Sequence, residues 1–166
     1  LQDKIRTSSR LATNSFNDIF YIFINQSSGG NLSFNAVPLK LSIKINASDV
    51  LTTYETDVQD FNGDGLPDIL INQFQTNDLF ILKNESSGSI SFASPQKISV
   101  EGAFNRVVSA DFNKDGLLDL VATSTLSDKA DVLLNQSTVE TFSFSTPIDL
   151  TTSLAPWGVE IGEIDG

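Results

Sequence analysis

The chain has 166 residues, 10 Lys plus Arg against 21 Asp plus Glu, a formal net charge of −11, and no Cys, Met or His. That length suits one ordinary domain with a sizeable core, and the acidity argues against a nucleic-acid binder, which needs a basic face to track phosphates. No run approaches the roughly 20 apolar residues of a membrane-spanning helix, and without Cys or His there is no disulfide, usual zinc site, thiol nucleophile or Ser-His-Asp triad.

The predicted elements are short strands. Phe20-Tyr21-Ile22-Phe23-Ile24 comes first, then Asp68-Ile69-Leu70-Ile71, then Asp131-Val132-Leu133-Leu134. Each is bounded by Asn, Ser, Gly or Asp, and no long window has apolar residues at three- and four-residue spacing. The pattern predicts an all-β chain.

The strands belong to a repeat. Asp60-Phe61-Asn62-Gly63-Asp64-Gly65-Leu66-Pro67-Asp68 returns 51 residues later as Asp111-Phe112-Asn113-Lys114-Asp115-Gly116-Leu117-Leu118-Asp119. Another 52 residues on, Glu163-Ile164-Asp165-Gly166 opens a third copy. In the same phase, Asn25-Gln26-Ser27-Ser28-Gly29 matches Asn84-Glu85-Ser86-Ser87-Gly88 and Asn135-Gln136-Ser137-Thr138, each followed by an aromatic strand. A period of about 50 with four short strands per unit fits the blade of a β-propeller. The fold class is therefore all-β, with blades of four antiparallel strands in about three repeat units. In the middle unit, strand A is expected at Thr53–Gln59, B at Asp68–Gln73, C at Asp78–Lys83 and D at Ser89–Ala93. Pro38, Pro95 and Pro147 are expected to follow the D strands, where a missing N–H harms no central ladder.

One propeller segment spans 1–166, with units at about 1–49, 50–101 and 102–156, and 157–166 as the first strand of a further blade. Leu1-Gln2-Asp3 aligns with Leu66-Pro67-Asp68. Propellers have about four to eight blades, so three units point to a piece of a larger propeller or to head-to-tail self-association that completes one. With no Met and no signal peptide at the start, a mature product, a processed piece or an excised fragment is expected.

The loop pattern Asp-x-Asn-x-Asp-Gly-x-x-Asp offers only oxygen ligands, which suits Ca²⁺ with its six to eight oxygens in a flexible shell better than Mg²⁺. One site is expected from Asp60, Asn62, Asp64, the Leu66 carbonyl and Asp68. A second is expected from Asp111, Asn113, Asp115, the Leu117 carbonyl and Asp119. Gly65 and Gly116 permit the left-handed turn that folds such a loop. An EF-hand is excluded by Ile71 and Ala122 at position 12, where it needs Glu, and by strand-like flanks. A turn that binds nothing is the other reading, but three carboxylates in one short loop repel without a cation. Glu163, Asp165 and Asp3 would form a partial third site if the two chain ends met.

The run Asp-Phe-Asn-Gly-Asp-Gly-Leu-Pro-Asp-Ile-Leu, with Asn-Glu-Ser-Ser-Gly and Ile-Ser-Phe-Ala-Ser-Pro after it, resembles the FG-GAP/VCBS repeats, the blades of integrin-α-like propellers. The likeness covers essentially the whole chain, and its style is that of bacterial surface or secreted proteins. It implies a calcium loop that links the inner strands of a blade and rigidifies it. Glu163 departs from the usual Asp at position 1, which weakens the third site.

Asn25, Asn31, Asn46, Asn84 and Asn135 open Asn-x-Ser sequons, but Asn and Ser are required anyway for the turn after strand C. Trp157 is expected to pack between blades, with stacking on a sugar or protein as the other reading. Phe34, Phe92, Phe142 and Phe144 are expected in the inter-blade core. Arg106 would face a central channel or pair with an acidic neighbour. Asp57, Asp78 and Glu101 show no paired arrangement, so no catalytic carboxylate pair is evident and no enzyme is expected. The expected function is a calcium-binding module, extracellular or at the cell surface, that recognises a protein or glycan, without nucleic acid or membrane insertion. The alternative is the propeller portion of a secreted polysaccharide-active enzyme.

Overall fold

The computed structural model describes residues 11–14, 19–24, 26–37, 39–42, 53–73, 78–98, 104–124 and 128–162. The described residues form eleven strands in three antiparallel sheets and no helix, so none is long and apolar enough to cross a membrane as a helix. The first sheet has β1 (Leu11–Asn14), β2 (Ile19–Ile22) and β3 (Leu39–Ser42), in that order. The second has β4 (Thr53–Gln59), β5 (Asp68–Gln73), β6 (Asp78–Leu82) and β7 (Gln96–Ile98). The third has β8 (Phe104–Ala110), β9 (Asp119–Ser124), β10 (Lys129–Leu133) and β11 (Ile148–Thr151). Each sheet is a simple meander, as a propeller blade requires. The expected strands A and B of the middle unit coincide with β4 and β5, and C with β6 to within one residue.

The repeat extends to irregularities. The register slips between Thr53 and Glu55 in β4, and between Phe104 and Arg106 in β8, at equivalent positions. After strand C, Ser27, Ser86 and Ser137 each accept a hydrogen bond from a backbone N–H five or six residues on, at Ser33, Ser91 and Ser143. These clasps account for the repeated Asn-x-Ser. Asn84 and Asn135 are buried, so these two sequons are turn hardware. Asn31 is exposed, and Asn25 and Asn46 lie outside the described residues.

Strand D is corrected. The stretch Ser89–Ala93 alternates like a strand, yet it joins its neighbour only through the clasp and an isolated bridge between Asn84 and Phe92. The outer strand starts after the proline: Gln96–Ile98 pairs with Leu79–Ile81, and Ile148–Thr151 pairs with Lys129–Val132. Pro95 and Pro147 therefore precede the D strands. Proline cannot donate to a ladder but is accepted just ahead of one. Pro38 lies outside the described residues.

Alternation of side chains puts two apolar faces on the second blade. Leu70, Leu79, Ile81 and Ile98 pack on Phe104, Val107, Leu120, Ala122, Leu133 and Phe142 of the third blade, with Phe61 at the centre. On the opposite face Ile69, Ile71, Phe80 and Leu82 pack on Ile22, Leu39 and Leu41 of the first blade. Phe142, Phe92 and Phe144 join these clusters as expected. Phe34 and Trp157 do not: they are 39% and 77% exposed. Phe34 belongs to the hairpin that projects beyond β2. Trp157 follows the last outer strand, with no described blade beyond it.

Candidate metal centres

Loop 60–68 curls around its first carboxylate. Asp60 accepts hydrogen bonds from the N–H groups of Gly63 (2.8 Å), Asp64 (3.2 Å) and Gly65 (2.8 Å). Asn62 Oδ1 accepts from Asp64 N–H, and Asp64 Oδ1 from Leu66 N–H. Asn62 Nδ2 donates to Asp64 Oδ2 at 3.0 Å. Loop 111–119 repeats this. Asp111 accepts from Asp115 and Gly116, Asn113 Oδ1 from Asp115, and Asp115 Oδ1 from Leu117, while Asn113 Nδ2 donates to Asp115 Oδ2. Gly65 and Gly116 have φ of +87° and +93°, the left-handed turn expected of them. Position 4 is left-handed too, with Gly63 at +75° and Lys114 at +64°.

The last carboxylate of each loop has a different setting. Asp68 and Asp119 are fully buried. Asp68 accepts from Phe61 N–H at 3.1 Å and Asn84 N–H at 2.8 Å, tying the acidic loop to the clasped turn. Asp119 does the same with Phe112 and Asn135. Burial pushes the Asp68 carboxyl up to about 6; the two N–H donors oppose the rise, and the charges of Asp64 and Asp60 add to it.

The donors are carboxylate, amide and carbonyl oxygens, which suit a hard cation such as Ca²⁺ and not a soft one. None of the ion pairs among the described residues includes a loop carboxylate. The residues thus fit Ca²⁺ in donor type and unneutralised charge. They are not drawn together in advance: no group of three or more Asp, Glu, His or Cys among the described residues is arranged to hold a metal. Glu163, Asp165 and Asp3 lie outside the described residues.

The remaining candidates are dispersed. Arg106 pairs with Glu55 at 3.6 Å and with Glu160 at 2.7 Å, so it links β4, β8 and the segment after β11. Glu55 and Glu160 line a groove of about 280 Å³ together with Asp57, whose carboxylate accepts from the Ser109 hydroxyl. Asp78 pairs with Lys97 at 2.7 Å. Glu101 lies outside the described residues.

One carboxylate pair escaped the sequence. Asp131 and Asp149 are 18 positions apart, and only the register of β10 on β11 sets them opposite each other. Desolvation, then the Asp149 charge, holds the Asp131 carboxyl above its ordinary range. Lys129, hydrogen-bonded to Asp149, lowers that of Asp149.

Residues 60–122 and 111–166 match the FG-GAP-like repeat. The chain belongs to the FG-GAP-like repeat family. It is a β-propeller-like repeat module, and the first match opens on Asp60 and the second on Asp111, the first residues of the two acidic loops. No curated protein and no solved structure matches the chain.

Proposed function

We propose that this FG-GAP-like chain is a calcium-binding propeller module of a secreted or cell-surface protein, and that it mediates adhesion by binding a protein or glycan. The observation that carries the reading is the same oxygen-rich curl at two positions 51 residues apart, each with carboxylates that no cationic side chain pairs. Asp60, Asn62, Asp64, the Leu66 carbonyl and Asp68 would hold one ion. Asp111, Asn113, Asp115, the Leu117 carbonyl and Asp119 would hold the other. Bound Ca²⁺ would supply charge neutralisation and a rigid link between the inner strands of a blade. The chain's own part is to present the oxygens: the loop N–H groups orient Asp60 and Asp111, and the buried Asp68 and Asp119 anchor the far end.

Binding only to the folded state stabilises it, and extracellular calcium modules bind at about 10⁻⁴–10⁻³ M. Millimolar Ca²⁺ should therefore raise the melting temperature relative to chelator, and Asp64→Ala plus Asp115→Ala should remove the rise. An unchanged melt counts against the metal reading. A protein and glycan binding screen tests the adhesive half.

The second reading, a propeller portion of a polysaccharide-active enzyme, draws on Asp131 and Asp149. Two carboxylates with oppositely displaced pKa values are what acid–base chemistry on a glycoside needs. Asp131 is buried, however, and Asp149 is held by Lys129. Turnover of a polysaccharide by this chain, lost in Asp131→Asn, would make that reading the better one.

A further inference from the structure

The two acidic loops are joined by a short buried path. Asp68, the last carboxylate of the first loop, accepts from Phe61 N–H at 3.1 Å. The Phe61 carbonyl accepts from Asn135 Nδ2 at 2.8 Å. Asn135 N–H donates at 2.7 Å to Asp119, the last carboxylate of the second loop. Hydrogen bonds through Phe61 and Asn135 thus run from one expected ion ligand to the other. All of these residues are buried, none more than 2% exposed. In that dry setting each bond strengthens its neighbours.

Asn135 is the hub of the path. Its Nδ2 also donates to the Leu118 carbonyl of the second loop at 2.9 Å, and its Oδ1 accepts from Ser137 N–H. The two hydrogens of one amide therefore span both loops. Asn84 makes the corresponding bonds within its own blade, to Asp68 and to the Pro67 carbonyl. The bond from Asn135 to Phe61 crosses from the third blade to the second.

Other contacts run alongside. Asn62 Nδ2 of the first loop donates at 3.0 Å to the Val139 carbonyl, at the tip of the hairpin that Asn135 opens. Leu117 of the second loop lies against Gly63 of the first: a Cβ on Gly63 would be 3.7 Å from Leu117 Cδ2. None of these bonds competes with an ion. An amide nitrogen is not a ligand for a hard cation, so Asn62 Oδ1 stays available. A carboxylate oxygen has two lone pairs, so Asp68 and Asp119 can accept from an N–H and face an ion at once.

We propose that Asn135 couples the two acidic loops, so that filling one raises the affinity of the other, a coupling that rests on the calcium reading of both. A filled first loop holds Asp68 in place, and with it the Phe61 peptide, Asn135 and Asp119. Part of the ordering of the second loop is then done before its own ion arrives, and the same holds in reverse. The sign separates this path from through-space effects. Two divalent ions repel, which weakens the second binding step, and salt screens that repulsion. Only a structural link makes the second step the tighter one. Asn135 is thus a positioning residue for both loops, and the path lies wholly between the second and third blades.

Calorimetric titration with Ca²⁺ in about 0.15 M salt reads the coupling. The product of the two association constants of the parent should exceed the product of the constants of Asp64→Ala and Asp115→Ala by about tenfold. In an Asn135→Ala background the same ratio should fall to about one. Amide NMR gives a second readout. Ca²⁺ added to Asp64→Ala fills only the second loop, yet the N–H signals of Phe61, Gly63 and Gly65 in the first should move, and they should stay in place when Asn135 is also Ala. A parent that binds two ions with a ratio of one or below overturns the coupling and leaves the calcium reading standing. A parent that binds none overturns both. A tenfold ratio kept in Asn135→Ala, with circular dichroism like the parent's, overturns the role of Asn135. Asn135→Ser replaces Asn135→Ala if that one is unfolded, and the ratio of the parent needs neither.

Discussion

The second and third blades carry nearly the same sequence plan 51 residues apart, and they differ in what lies beside them. Their acidic loops make the same internal hydrogen bonds, down to the buried Asp68 and Asp119 that reach the turn after strand C. Yet Phe61 is covered and Phe112 is not. The loop conformation is therefore local, set by Asp, Asn and Gly within nine residues. Burial is a property of the neighbouring blade. A repeat that cannot cover its own apolar face depends on stacking.

The largest expected effect breaks this symmetry. Phe61→Ala should cost about 3–5 kcal/mol, the usual loss for a fully buried phenylalanine. Phe112→Ala should cost well under half of that in denaturant melts. Equal losses would mean that the third blade is covered as well as the second.

Position 4 of the loop offers a smaller test. Gly63 and Lys114 share left-handed backbone geometry, which costs a side-chain-bearing residue about 1–2 kcal/mol. Lys114→Gly should stabilise the chain by about 1 kcal/mol, and Gly63→Ala, whose new Cβ meets only Leu117 at 3.7 Å, should destabilise it by a similar amount. Opposite signs in thermal melts are the expected outcome. The same sign for both would show that the two loops are not conformational equals.

The smallest effect concerns Phe80 and its counterpart Asp131. The first fills an apolar cluster, and the second is a buried carboxylate whose Oδ1 lacks a partner. Its pKa is raised in the folded chain, so the folded state holds the proton more firmly than the unfolded state. Stability is then lost as the pH climbs from the ordinary carboxylate value through the raised one. Asp131→Asn should be more stable than the parent at neutral pH and indistinguishable from it at about pH 3, below both values. A benefit that persists in acid would assign the effect to packing.

The sequence revealed what repeats at fixed spacing. The period, both acidic loops, and strands A, B and C were legible because Asp-x-Asn-x-Asp-Gly fixes the phase and apolar runs follow it. Strand D was misplaced: Ser89-Ile90-Ser91-Phe92 alternates convincingly, and only the serine clasp and the position of Pro95 show that pairing resumes after the proline. Trp157 and Phe34 were expected in the core because aromatic residues usually find one. Their exposure depends on neighbours that no local pattern encodes. The Asp131–Asp149 pair was hidden for a similar reason: it exists only through the register of two strands.

Calcium is the claim on which the functional reading stands, and calorimetric titration of the intact chain tests it most directly. Two ions per chain are expected, one in Asp64→Ala, one in Asp115→Ala and none in the double variant, each with circular dichroism like the parent's. A folded parent that takes up no Ca²⁺ at millimolar concentration, or single variants that still bind two ions, would contradict it.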